Sequence, residues 1–152
     1  MEVTGAQALS PYHHGLDTWP RREYLELRAL DTAPGKARAH VVDVLREWRL
    51  TELAEAAELV ASELVTNSVL ATRAAGWPGR QPPVRLWLLG DDASVLVLVW
   101  DALSASPAPG EAAIDDESGR GLAIVAALSQ AWDSYPDSTL GGKVTWALIT
   151  SP

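Results

Sequence analysis

Glu63 and Asn67 lie four residues apart in ASELVTNSVLAT, residues 61–72, a stretch whose Ala, Leu and Val content reads as helix. Residues at that spacing stack one above the other, so a carboxylate and a carboxamide share one stripe. A carboxamide oxygen is a good ligand for Mg²⁺, which takes oxygen donors and keeps waters alongside phosphates. A carboxylate one turn away can accept a proton from a water or hydroxyl held nearby. The same pair also suits an exposed polar face, and alone it does not decide between the two. Asp101 ends the apolar run SVLVLVW, residues 94–100. A carboxylate held at a strand end can accept a hydrogen bond from an exocyclic amine such as that of adenine, or it can simply start a turn. In ESGRGLAIV, residues 117–125, Gly119 and Gly121 bracket Arg120 ahead of an apolar helical run. Glycines let the backbone approach a ligand, and N–H groups at a helix start favour an anion. The plain alternative is a loop that caps a helix. Ile124 stands where the third Gly of G-x-G-x-x-G would fall and no GK[ST] follows, so neither the Rossmann nor the P-loop pattern is present.

The elements that must position these residues follow from periodicity. EYLELRAL, residues 23–30, alternates Tyr24, Glu26 and Arg28 against Leu25, Leu27 and Ala29, the period of a half-buried strand. DTAPG then turns and caps, with Pro34 suited to a first helical turn. Ala37, Val41, Leu45 and Trp48 recur at helical spacing. Thr51 is placed as the N-cap of a second helix, with Glu52 and Glu55 in its first turn and Leu53, Ala57, Val60 and Leu64 as its core stripe. Gly76, Pro78 and Gly79 stop it. VRLWLL (84–89) and SVLVLVW (94–100) flank the turn GDDA and predict a β-hairpin. Residues 101–119 form a long irregular stretch, of a kind that is usually functional. A buried helix over 120–132 and a last strand over 143–149 follow, with a short strand around Trp132–Tyr135. The order β-α-α-β-β-α-β predicts an α/β two-layer sandwich, a mixed, mainly antiparallel sheet covered on one face by helices.

Composition narrows the classes. The chain of 152 residues reads as a flexible arm over 1–22 and one domain over 23–152, with 47% hydrophobic and 21% charged residues. Seven Trp and no Phe leave Trp to supply the aromatic volume. Zero Cys excludes disulfides, Cys-based metal sites and thiol chemistry. No apolar run spans a bilayer and no leader pattern is evident, so the expected location is cytoplasmic, without a membrane partner. The net charge is −8 and the 12 Lys and Arg are scattered, which argues against direct nucleic-acid binding. His13 and His14 sit in the arm with no third ligand in view, and His40 is placed as a structural residue of the first helix.

The features gain weight from their order. ELVTNSV resembles the N box of the GHKL superfamily, which has the Bergerat fold; DALSASP resembles its first glycine box, ESGRGLAIV its second and GGKVTWAL its closing strand. The resemblance covers about residues 24–150 and is nearest to the short, single-domain branch of anti-sigma-factor serine/threonine kinases. It implies ATP and Mg²⁺ as cofactors. It implies that Asn67 coordinates the Mg²⁺ and that Glu63 is the general base. It implies that Asp101 binds the adenine amino group, with Ser104 in the first glycine box. Ser118, Gly119, Arg120, Gly121 and Leu122 would surround the phosphates, and Thr145 would approach the adenine from the sheet. Residues 103–117 would form an ATP lid that closes over the nucleotide.

Two departures from that pattern stand out. The first glycine box often reads Asp-x-Gly or Asp-x-Ser, whereas here Ala102 and Leu103 precede Ser104. A basic residue or His often follows the Asn, whereas Leu70, Ala71 and Thr72 occupy that stretch and Arg73 comes next. The function implied is a kinase that phosphorylates a small antagonist protein and holds a sigma factor, with homodimerisation through the first strand and arm. The other reading is a nucleotide-gated protein-binding module with little or no kinase activity, which the altered first glycine box favours.

Overall fold

The computed structural model describes residues 19–104 and 116–151. Residues 1–18 of the expected arm, including His13 and His14, and most of the expected lid fall outside these residues, while Arg21 and Arg22 of that arm belong to the first strand.

The first strand, β1, spans Arg21–Leu27. It starts two residues earlier than its alternation predicts, because Arg21 and Arg22 still find partners in Gly90 and Leu89 of the neighbouring strand. The chain turns through Leu30, whose N–H donates to the Arg28 carbonyl at 2.8 Å. Helix α1, Ala33–Glu47, begins with Pro34 in its first turn and buries Ala33, Ala37, Val41, Val44 and Leu45. Its end is a Schellman motif: the Leu50 N–H donates to the Leu45 carbonyl at 2.8 Å and the Arg49 N–H to the Arg46 carbonyl at 3.1 Å. Arg49 takes the left-handed conformation that this motif requires, with φ of 60°.

Thr51 does not cap the next helix. It opens a short 3₁₀ turn, Thr51–Leu53, from which helix α2, Ala54–Ala74, continues with no side-chain cap. The predicted stripe of Leu53, Ala57, Val60 and Leu64 is buried, together with Ala61, Val65 and Val69. Beyond its C-terminus the Trp77 indole donates to the Thr72 carbonyl at 2.7 Å, satisfying one of the acceptors a helix end leaves open.

Strands β2 (Val84–Gly90) and β3 (Ser94–Asp101) form the predicted hairpin. Helix α3 spans Asp116–Leu128, and strands β4 (Ala131–Pro136) and β5 (Lys143–Thr150) complete the sheet. The sheet order is β1-β2-β3-β5-β4, and every pairing is antiparallel. This is an α/β two-layer arrangement, with the helices on one face. Val84, Leu86 and Leu88 of β2, Val95, Val97 and Val99 of β3, and Ala147 and Ile149 of β5 meet α1, α2 and Val125 of α3 in the main core.

The opposite sheet face is also apolar, which is why VLVLV carries no polar alternation. Trp87, Leu89, Leu96, Leu98, Trp100, Val144, Trp146 and Leu148 cluster there, with Trp19 against them. Cross-strand register puts Trp87, Leu98 and Trp146 in one row. Three of the seven Trp thus build this second cluster, while Trp48 and Trp132 pack against the main core.

Candidate functional site

Helix α2 touches both halves of the site with adjacent residues. Glu63 and Asn67, both half-buried, face α3, while Ser68 turns to the sheet. The meeting with α3 is close: a Cβ added to Gly121 would stand 2.7 Å from Glu63 Oε1 and 3.7 Å from both amide atoms of Asn67. A side chain at this position is accommodated only if the Glu63 carboxylate moves aside. Leu122 and Val125, 7% and 0% exposed, anchor this part of α3.

The position of the glycines differs from the expectation. The sequence places Gly119 and Gly121 ahead of a helix over 120–132, whereas α3 takes them in from Asp116 and ends at Leu128. The Leu, Ala and Ile that follow propagate helix well enough to carry two glycines at about 1 kcal/mol each. The unpaired N–H groups of the helix start therefore belong to residues 116–119. Trp132, where the expected helix and the expected short strand around Trp132–Tyr135 overlap, lies in the strand, β4.

The second half is built on Asp101, the last residue of β3, whose Cα partner across the ladder is Lys143, the first residue of β5. Both point to the helix side, the parity of Val99 and Thr145. Asp101 is 1% exposed and Lys143 is 6% exposed. Lys143 Nζ donates to Asp101 Oδ1 at 2.7 Å and to Oδ2 at 2.6 Å. Ser68 Oγ donates to Oδ2 at 2.6 Å, and the Leu103 N–H donates to Oδ1 at 3.0 Å. Gly142 holds the strand ends together: its φ is +71°, and a Cβ there would lie 2.1 Å from the Asp101 carbonyl oxygen. Thr145, 7% exposed, is the next inward residue of β5.

The structure thus brings Glu63, Asn67 and Gly121 into one cluster, and Asp101 and Thr145 to one corner of the sheet. The adjacent residues Asn67 and Ser68 link the two. Ser104 is exposed, three residues beyond Asp101. Residues 118–120 belong to the opening turns of α3 by their backbone, and the side chains of Ser118 and Arg120 fall outside the described part. Sequence reading missed Ser68 and Lys143. Their signal was a polar residue at an inward position: Ser68 follows Val60 and Leu64 at helical spacing, and Lys143 shares the parity of Ala147 and Ile149.

Several features fit a nucleotide. The Gly121 cradle abuts the Glu63 and Asn67 side chains. Thr72 Oγ1, one turn beyond Ser68, is buried without a hydrogen-bond partner among the described residues. Among the described residues no three His, Cys, Asp or Glu side chains converge as a metal cage.

The sequence profile of the histidine kinase-like ATPase domain matches residues 27–148. The chain belongs to the histidine kinase-like ATPase domain family. The match runs from the end of β1 through β5, and so takes in both halves of the site. The domain is an ATP-binding domain, and its α/β sandwich is the fold that the GHKL resemblance implied. No curated protein matches the chain. Among the described residues no helix is long and apolar enough to cross a membrane.

Proposed function

We propose that this histidine kinase-like ATPase domain is a cytoplasmic protein serine/threonine kinase of the anti-sigma-factor type, which phosphorylates an antagonist protein and binds a sigma factor. The observation that carries the catalytic part is the packing of Gly121 against Glu63 and Asn67. It sets a carboxylate and a carboxamide against the second turn of α3, one turn on from the free N–H groups of residues 116–119. Asn67 would hold Mg²⁺, which would offset phosphate charge. Glu63 would take the proton of the attacking hydroxyl. The backbone at the start of α3 would receive the phosphates. Phosphoryl transfer is mainly positioning and charge stabilisation, so so few side chains suffice. The sigma factor, the antagonist and a homodimer rest on resemblance to the short branch.

The test combines calorimetry with turnover. ATP is titrated into the full chain with and without Mg²⁺, and the label of γ-labelled ATP is followed separately, both onto a serine-bearing protein and as released phosphate. Binding that needs Mg²⁺ in the wild type and loses that dependence in Asn67→Ala supports the site. A Glu63→Gln variant is expected to keep binding and lose turnover by about 10²-fold or more, the range of a general base. Binding of ATP with no turnover in the wild type, even with a serine-bearing antagonist supplied, would establish the nucleotide-gated module instead. No ATP binding to folded protein at millimolar concentration would overturn both readings.

A further inference from the structure

The sheet face turned away from α1, α2 and α3 is closed to solvent although none of these helices lies on it. Register sets Leu89, Leu96 and Leu148 in one row across β2, β3 and β5, with Trp87, Leu98 and Trp146 in the next. Leu96 and Leu98 are 0% exposed, and even Trp87 and Trp146 are only 7% and 5% exposed. Side chains stand roughly perpendicular to a sheet, so neighbours on the same face shield each other's flanks. They cannot shield the outer end of a Trp, the tallest side chain on the face. Among the described residues, the hydrophobic ones that pack there from outside the five strands are Trp19 and Ala102. All of this burial is reached by one chain alone.

We propose that residues 1–18 fold back from Trp19 and lie as an extended strap over this face, closing it from within the same chain. The outline of the buried area argues for a strap. The outer strands keep exposed residues on the same face, Arg22 and Tyr24 on β1 and Asp133 on β4. The closed part is therefore β2, β3 and β5, about 10 Å across at the usual strand spacing, which one or two passes of chain span. A second copy would need about 800 Å² on each partner and would bury the rim as well. The arm suits the task. It joins the domain at Trp19, which already packs on the face. Its 18 residues reach about 60 Å when extended. Met1, Val3, Leu9, Tyr12 and Leu16 supply apolar side chains, and Pro11 opposes a continuous helix. Residues 105–115 fit less well: Ile114 is their one large apolar residue, and they lead into α3, on the helix side.

The chain has no Cys, so a single nitroxide can be attached to the full chain at Ala8→Cys. The indole N–H signals of Trp87 and Trp146 are expected to be lost to broadening, while that of Trp77, beyond the end of α2, persists. Mixing spin-labelled chain with isotopically enriched, unlabelled chain should leave every signal intact. In a second measurement, Leu9→Asp and Leu16→Asp together in the full chain are expected to raise the fluorescence of anilinonaphthalene sulfonate several-fold. The same variant should melt about 6 °C or more below the wild type, since two leucines leave an apolar contact. The label at Ala8 decides even where the double variant does not fold. Trp87 and Trp146 signals left intact by the label, with a double variant that melts like the wild type and binds no more dye, overturn the proposal. Broadening in the mixed sample assigns the cover to a second copy and overturns it too. Dye binding raised by Ile114→Asp and not by the double variant assigns the cover to residues 105–115, with the same consequence.

Discussion

Replacing Gly121 by Ala separates what α3 needs from what the site needs. Gly121 lies in the second turn of the helix. Ala is favoured over Gly in a helix interior by about 1 kcal/mol. Against this, the new methyl would stand 2.7 Å from Glu63 Oε1, about 0.7 Å inside ordinary contact. The atom it meets is the tip of a side chain with several rotatable bonds, so the conflict is relieved by moving Glu63 rather than the backbone. An off-rotamer side chain costs about 0.5–1.5 kcal/mol. The two terms nearly cancel, and the melting temperature of a domain this size is expected to move by no more than about 3 °C in either direction. Function is not protected in this way. A misplacement of about 1 Å in a reacting group can cost on the order of 10²-fold. Turnover of γ-labelled ATP in Gly121→Ala is therefore expected to fall by about 10- to 100-fold, and Glu63→Ala added to it should cost little more. Circular-dichroism melting and single-turnover measurements on the wild type, both singles and the double read this directly. Unchanged turnover in Gly121→Ala would refute the idea that the position of Glu63 against α3 matters to chemistry. A melting temperature lowered by more than about 6 °C would refute the claim that Glu63 yields to the methyl.

Two further outcomes bear on the scaffold. Arg49 holds a left-handed conformation at the end of α1, so Arg49→Gly should stabilise the fold by about 0.5–1 kcal/mol in urea denaturation, with ATP affinity unchanged. His40 is half-buried, its Nε2 has no partner among the described residues, and burial lowers its pKa below the ordinary 6.5, against the opposing pull of Glu23 and Asp43. The unfolded chain then binds the proton first as pH falls through about 6.5, so the melting temperature should drop on going below neutrality, and His40→Gln should flatten that part of the profile.

The sandwich was legible because its signals are local. The alternation of Tyr24, Glu26 and Arg28, the hairpin turn GDDA and the stripe from Leu53 to Leu64 each depend on neighbours in sequence. The misplaced boundaries depend on partners far away. Arg21 and Arg22 are strand only because β2 is there to pair with them. Thr51 looks like a cap, but the Schellman turn at Arg49 and Leu50 feeds the chain into a 3₁₀ turn first. Gly119 and Gly121 look like a loop, but packing and the apolar run beyond them draw them into α3. The same division holds at the site. Glu63 and Asn67 announce themselves by spacing on one helix. Lys143 meets Asp101 through the register of two strands 42 positions apart in the chain, and no periodicity in either strand reports that pairing.

That ion pair is poorly explained as a device for stability. Desolvating two charges costs several kcal/mol per ion, and a buried pair often does no better than apolar residues of similar volume. Removing Lys143 alone would leave the carboxylate uncompensated, at a cost of about 3–5 kcal/mol. Replacing the whole cluster, with Asp101→Val, Lys143→Met and Ser68→Ala together, removes the charges and the hydroxyl that partners them. The N–H of half-buried Leu103 can turn to water. The triple variant is therefore expected to fold with a stability within about 1 kcal/mol of the wild type or above it. It should bind ATP more weakly than the wild type. A triple variant that is strongly destabilised in urea denaturation would show the pair to be part of what holds β3 to β5. One that is stable yet retains wild-type ATP affinity would show that Asp101 and Lys143 take no part in binding the nucleotide. The apolar neighbours Val99, Val144 and Ala147 already close the ladder around this corner. A charged pair in such surroundings is poorly explained by packing alone, since the fold has a cheaper way to fill the space.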